Sequence, residues 1–402
     1  MHRILLAAGL LPLLAGGMDL RFHYSSAAFP NLIYNIACLA GNLPCTKEAY
    51  EKLWHGELDW NAHQDDRQIE VWAKAVKKAA GDGQIPKAPF LGNYLAFYPN
   101  VAGRERLIGA ALEAGSTREL GRRLKGLARV EEVAALSAVL DHFAARYHKW
   151  WVAKRATQLR THLRQVDRNI RRDGMAPLAG QIAAFMEARL ATPDVYVFAI
   201  VRPDQKSTES IATVLTNHFF VEIVGQDKPE DTEWKAMHEL THYFYATAPL
   251  EKHLAFMNEF LKTGREDAPP LYGFVNEAVA TAVQLMIYQR KHIAETAPYD
   301  HPFIPRLGKS TLPLLKQALS EKATLFTPNF AESYIRAGEA ELGETVRSPR
   351  FLLSSVALLP SGKTEKAATG TFFREFGPSF YLRREGVAVI LRSECRTVCH
   401  LR

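Results

Sequence analysis

The sequence predicts a mostly helical α+β protein, in which a small sheet accompanies many helices. Residues 127–173 contain neither glycine nor proline, and their apolar residues recur at helical spacing. Two short runs rich in β-branched and aromatic residues, 195–201 and 218–224, are typical of strands. Apolar residues make up 47% and charged residues 23% of the 402-residue chain, which is the composition of an ordinary globular protein.

The sequence at the start of the chain, MHRILLAAGLLPLLAGG (residues 1–17), has the layout of a secretory signal peptide. Arg3 precedes an apolar run from Ile4 to Ala15, and small residues follow. The run is shorter than the roughly 20 residues that span a bilayer. It predicts a secreted or periplasmic protein that does not bind nucleic acid; the alternative is an uncleaved anchor or a buried N-terminal helix.

The four cysteines form two pairs that are local in sequence, Cys38 with Cys45 and Cys395 with Cys399. An exported protein meets an oxidising environment, in which such pairs form disulfides. Four cysteines allow three connectivities, and the two local pairings are expected. The alternatives are reduced, buried cysteines, or a zinc site built from Cys395, Cys399 and His400.

The stretch Thr46–Arg172 is predicted to be mostly helical, and a glycine and a proline shortly after it mark a boundary. Residues 18–175 are therefore predicted to form a helical N-terminal subdomain, and residues 176–402 a second domain. A chain of this length is long enough for two such parts.

The last part of the helical stretch, residues 148–172, is strongly basic, and its one acidic residue is Asp167. The basic residues are Lys149, Lys154, Arg155, Arg160, Arg164, Arg168, Arg171 and Arg172. One interpretation is an electropositive surface that contacts acidic peptide, cell-wall polymer or anionic lipid. The other is an ordinary solvated helix face.

Strands and helices are both predicted in the second domain. The predicted elements are strands at 195–201 and 218–224, then helices from Asp231 or Thr232, at 249–264 and at 273–292. The last of these is apolar on nearly all sides, as a buried helix would be. Further helices are predicted from Pro313 onwards, followed by a small strand-containing tail.

The helix predicted after the second strand contains the sequence HELTH, which includes His238, Glu239 and His242. Four residues along a helix leave two side chains about 40° apart and about 6 Å along the axis, so both imidazoles can reach one metal ion. Glu239 lies about 100° from His238, beside the metal, where it can take a proton from a water molecule. The pattern predicts a zinc site with Glu239 as general base; the alternative is a helix that carries these letters by chance.

A catalytic zinc needs three protein ligands and one open position. Glu277, in the sequence VNEAVA, lies on the otherwise apolar helix predicted at 273–292. A carboxylate there is costly unless it is paired or bound to a cation. Glu277 is therefore the expected third ligand; the alternative is a glutamate at the helix surface or one paired with an arginine.

HELTH followed by NEAVA resembles the gluzincin group of zinc metallopeptidases, over roughly residues 217–290. The resemblance implies a zincin-like core, made of a small sheet, an active-site helix and a glutamate helix, within residues 176–402. It implies one zinc per chain, bound by His238, His242 and Glu277, with a peptide or protein as substrate. It also implies that the strand at 218–224 is the sheet edge that aligns an extended peptide.

The chain departs from the group at two points. Many members carry an aspartate four residues after the ligand glutamate, where this chain has Thr281. The segment with which aminopeptidases of the group hold a free amino terminus is absent, which favours an endopeptidase. Related enzymes also use a donor that stabilises the oxyanion; Tyr334 is expected in this role, with Tyr381 and His301 as alternatives.

Two other functions are compatible with these residues. One is a zinc-binding envelope protein with a scaffold or binding role and no turnover, and the other is an envelope protein in which HExxH is accidental. The presence of both Glu239 and Glu277 favours the peptidase, because inactive relatives often lose the base and accidental motifs rarely bring a third ligand.

Overall fold

The computed structural model describes residues 20–43, 45–81, 99–207, 211–265, 267–291, 301–348 and 351. Within these residues the protein is mostly helical and has a mixed four-stranded sheet, so the predicted α+β class is confirmed. The predictions that lie outside the described residues are the signal peptide, the strand-containing tail, Cys395, Cys399, His400 and Tyr381.

The N-terminal part of the chain starts with a strand and continues with helices. These are β1 (Arg21–Ser25), α1 (Ala28–Leu39), α2 (Lys47–Glu57), α3 (Ala62–Ala80), α4 (Pro99–Leu112), α5 (Thr117–Arg123), α6 (Val130–Lys154) and α7 (Ala156–Arg172). The prediction of mostly helical structure is therefore confirmed, although Arg155, with φ −133°, separates α6 from α7. Cys38 and Cys45 form a disulfide with their Cα atoms 6.0 Å apart, as expected for this local pair.

The second part of the chain contains the other strands and the remaining helices. These are α8 (Met175–Phe185), β2 (Asp194–Val201), β3 (Ala212–Leu215), β4 (His218–Ile223), α9 (Pro229–Thr247), α10 (Leu250–Lys262), α11 (Ala268–Lys291), α12 (Ile304–Glu321), α13 (Pro328–Leu342) and a 3-10 helix, Gly343–Arg347. The start of α9 differs from the prediction, because Pro229 occupies its first turn and the Lys228 backbone N–H donates to Asp231 Oδ2 at 2.8 Å. The helix therefore begins before Asp231.

The sheet has the strand order β1-β2-β4-β3. Strands β1, β2 and β4 are parallel, whereas β3 is antiparallel to β4. The prediction that the strand at 218–224 forms the sheet edge is wrong, because the four-residue strand β3 pairs with its outer side. Strand β1 brings the N-terminal part of the chain into the same sheet.

Helices cover both faces of β4, and its side chains alternate between them. Phe219 contacts Tyr243 of α9, with ring centroids 6.1 Å apart, whereas Phe220 contacts Tyr34 of α1 at 5.2 Å. Burial on both faces explains why the sequence HFFVEI does not alternate between apolar and polar residues as a half-exposed strand would. Helix α9 is thereby held on one face of the sheet, next to β3.

Helix α11 is buried along most of its length, as its apolar sequence predicts. It packs against α9 on one side and α12 on another. The glutamate of VNEAVA and the histidines of HELTH therefore lie on neighbouring helices.

A buried histidine on α10 predicts how stability depends on pH. His253 is fully buried, and its Nε2–H donates to the Tyr245 carbonyl at 2.9 Å. Burial lowers the pKa of His253 to about 4, although this hydrogen bond opposes the shift. An unfolded histidine has a pKa of about 6.5, so the unfolded chain binds more protons as the pH falls from 6.5 towards 4. We expect His253 to reduce the free energy of unfolding by about 3 kcal/mol over that range.

Denaturant unfolding of the unmodified protein and of His253→Gln at pH 7 and near pH 4 measures this contribution. Other groups titrate in both proteins, so the difference between their pH dependences isolates His253. Equal losses of stability on acidification in the two proteins would contradict the prediction.

Candidate metal centre

The two histidines of HELTH point their ring nitrogens at each other. Both lie on α9 one helical turn apart, and Nε2 of His242 is 3.1 Å from Nε2 of His238. Both nitrogens cannot carry a proton at this distance, so at least one presents a lone pair to the space between them.

Glu277 on α11 lies close to the facing nitrogens of both histidines. Its Oε2 lies 3.7 Å from His238 Nε2, and its Oε1 lies 3.6 Å from His242 Nε2. Tetrahedral zinc with bonds of roughly 2.0–2.1 Å places ligand atoms about 3.3 Å apart. The three predicted ligands therefore lie close together, although Glu277 approaches the two histidines with different oxygens. Two imidazoles and one carboxylate are a donor set that fits zinc.

The three side chains differ in their exposure. The His238 side chain is 3% exposed, whereas the side chains of His242 and Glu277 are 14% and 20% exposed. The His238 side of the group is therefore buried, whereas the other two side chains are partly exposed.

Asn276 orients the second histidine, a role that the sequence interpretation missed. Its Oδ1 lies 3.1 Å from Nδ1 of His242. An amide oxygen only accepts, so Nδ1 of His242 carries the proton and Nε2 is left with a lone pair for a metal. The available signal was the position of Asn276, directly before Glu277.

Thr281 does not take the place of the aspartate found in many gluzincins. It is buried, and its hydroxyl makes no hydrogen bond within the described residues. A Cβ built on Gly308 of α12 would lie 2.3 Å from the Thr281 methyl group, so the residue fills a close contact between α11 and α12. Within the described residues Thr281 therefore does not orient either histidine through a hydrogen bond.

A carboxylate oxygen of Glu239 and one nitrogen of each imidazole lie within 4.8 Å of one another, so His238, Glu239 and His242 also form a group that could hold a metal ion. Burial raises the pKa of Glu239 to about 7; His242 opposes this shift, Glu277 adds to it, and a hydrogen bond from the Val214 backbone lowers the pKa. A carboxylate with a pKa near neutral is a suitable proton acceptor at physiological pH.

Val214 belongs to β3, which the sequence interpretation also missed. Leu215 pairs with His218 across the tight β3–β4 turn, and Val214 pairs with Phe219. Backbone groups in an antiparallel pair alternate between the partner strand and the opposite side. Since Ile211 accepts from Glu222 across the ladder at 2.9 Å, Ala212 and Val214 direct their N–H and C=O groups away from β4, to the side of β3 that no described strand covers.

Tyr334, the expected oxyanion donor, is not brought to the histidines. Its side chain is fully buried on α13, and its hydroxyl donates to the Leu271 carbonyl at 3.2 Å. Leu271 lies six residues before Glu277, on a different face of α11. This placement does not support a catalytic role for Tyr334.

His301, an alternative donor, lies at the start of α12. Its Nδ1 accepts from the backbone N–H groups of Phe303 and Ile304, both at 3.2 Å. Its ring contacts Phe274, three residues before Glu277, with centroids 5.9 Å apart. In this position it caps a helix.

Comparisons of this chain with protein-family models, curated proteins and solved structures found no match. Along the described part of the chain, no helix is both long enough and apolar enough to cross a membrane.

Proposed function

We propose that this protein is a secreted or periplasmic zinc peptidase of gluzincin type, with a zincin-like core, which hydrolyses peptide bonds, most simply as an endopeptidase. The observation that carries the proposal is that Glu277 lies within 3.7 Å of the facing nitrogens of His238 and His242, and that Glu239 lies beside the same two histidines. The Cys38–Cys45 disulfide supports an oxidising location.

The residues have separate roles in the proposed reaction. His238, His242 and Glu277 would hold one zinc ion, which when bound supplies Lewis-acid polarisation of the scissile carbonyl and of water. Glu239 accepts a proton from the attacking water on its carboxylate and then gives it to the nitrogen of the leaving amine. Asn276 keeps His242 in the tautomer that binds a metal.

The edge strand β3 is suited to align the substrate. Ala212 and Val214 direct backbone groups to the side of β3 that no described strand covers, and the Val214 backbone reaches Glu239. An extended peptide that adds to this edge would place its own backbone carbonyls beside the general base. In this proposal β3 takes the role that the resemblance implied for 218–224.

Zinc-dependent cleavage tests the proposed function. A diverse peptide library incubated with the purified protein should be cleaved, a chelator should stop cleavage, and added zinc should restore it. Cleavage that the chelator does not affect would contradict the proposal. Bound zinc without cleavage of any peptide would favour the alternative, a zinc-binding envelope protein with a scaffold or binding role.

A further inference from the structure

The exposed face of α7 carries a row of arginines. Arg160, Arg164 and Arg168 follow one another at every fourth position, which places successive side chains about 40° apart and about 6 Å along the axis. All three are exposed. Within the described residues none of them forms an ion pair with a carboxylate, and Asp167 is paired with Arg171 at 3.0 Å.

The packing of α7 does not require this row. The helix is held by the opposite face, where Leu159, Leu163, Val166 and Ile170 are buried. Like charges four residues apart destabilise a helix. The hydrogen bonds that these arginines make to described residues are local: Arg160 Nε donates to the Ala156 carbonyl at 3.2 Å, Arg168 Nε donates to the Arg164 carbonyl at 3.3 Å, and Arg168 Nη2 donates to Gln165 Oε1 at 2.8 Å. An unfavourable row with no packing role indicates an external anionic partner.

The exposed residues around the row favour a membrane surface over nucleic acid. Within α7 they are threonines, a glutamine and arginines, with no aromatic side chain on which a base could stack. Val152, in the last turn of α6, is 58% exposed, and it is one of the two large hydrophobic side chains that are exposed in the described part of the protein. Exposed Lys149 and Lys154 lie on either side of it in the sequence. Cations beside an exposed apolar side chain fit the interface of an anionic bilayer.

We propose that the exposed face of α7, together with Val152, binds the surface of membranes that contain anionic phospholipids. The same helix contacts the helix of the candidate metal centre, because His162 lies 2.8 Å from the Thr232 hydroxyl and Asn169 donates to Glu230 at 3.2 Å. Binding through α7 would therefore fix the orientation of α9 relative to the membrane. This inference does not depend on the proposed peptidase activity.

Vesicle co-sedimentation tests the proposal. We expect the full-length protein to sediment with phosphatidylcholine vesicles that contain phosphatidylglycerol, and the binding to weaken at high salt. Replacing the row (R160Q/R164Q/R168Q) should weaken binding to these vesicles by about 100-fold. Vesicles of phosphatidylcholine alone measure any contribution from apolar segments elsewhere in the chain.

A matched variant, R67Q/K77Q/R118Q, removes three exposed cations of α3 and α5 and should retain the binding. Circular dichroism verifies that both variants are folded. Equal weakening in the two variants would overturn the proposal, as would no binding of the unmodified protein to anionic vesicles. Tighter binding to duplex DNA or heparin than to the vesicles would also overturn it, in favour of a soluble polyanion.

Discussion

Glu239→Gln should lower the rate of peptide hydrolysis by about 1,000-fold while the zinc content stays unchanged. Glutamine keeps the size and the hydrogen-bonding oxygen of the side chain, but its amide cannot accept a proton from water. In the proposed centre the ligands are His238, His242 and Glu277, so the replacement of Glu239 should leave the metal bound. Initial rates and metal content measured on the same preparation test both parts.

Glu251→Gln is the matched control, because Glu251 is an exposed glutamate in the first turn of α10. It should retain the activity of the unmodified protein. An E239Q protein with undiminished activity would rule out Glu239 as the base. Loss of zinc in E239Q would instead make Glu239 a ligand.

Glu277→Ala should weaken zinc binding by more than about 100-fold, the upper end of the effect of losing a group that only orients a ligand. The substitution removes the oxygen atoms that lie 3.6 and 3.7 Å from the two imidazole nitrogens. It also replaces a partly buried carboxylate with the residue that best favours a helix, so α11 should remain folded. Competition with a chromophoric chelator measures the affinity, with Glu251→Ala as the control.

Unchanged zinc affinity in E277A would show that the third ligand is another residue. Hydrolysis should fall together with zinc occupancy. Partial recovery of activity at high zinc concentration would confirm that the defect lies in metal binding.

The sequence predicted those features that depend on local patterns. Helical periodicity located most of the helices from Thr46 onwards, but α1 and α8 were not predicted, and the helix predicted from Pro313 begins at Ile304, with Pro313 inside it. Runs of β-branched and aromatic residues located β2 and β4. Strands β1 and β3 were missed, because five and four residues give too little pattern to distinguish a strand from a loop. The edge of the sheet was misassigned for the same reason, since the edge depends on which strand pairs outside β4.

In the candidate site, too, the sequence predicted what depends on local patterns and missed what depends on the packing of the fold. The two histidines and the base share one helix, so their spacing is fixed locally, and the cost of a carboxylate in an apolar helix identified Glu277. The structure places Tyr334 away from the site, because the direction of its side chain depends on how α13 packs against α11. The contact between Val214 and Glu239 joins a strand to a helix and could be seen only once the fold was known.

The zinc content of the purified protein tests most directly whether His238, His242 and Glu277 form a metal centre. We expect about one zinc per chain, and close to none when both histidines are replaced by alanine. A protein that contains no zinc after incubation with the metal, or one that keeps its zinc without the two histidines, would contradict this metal centre and the peptidase activity proposed from it.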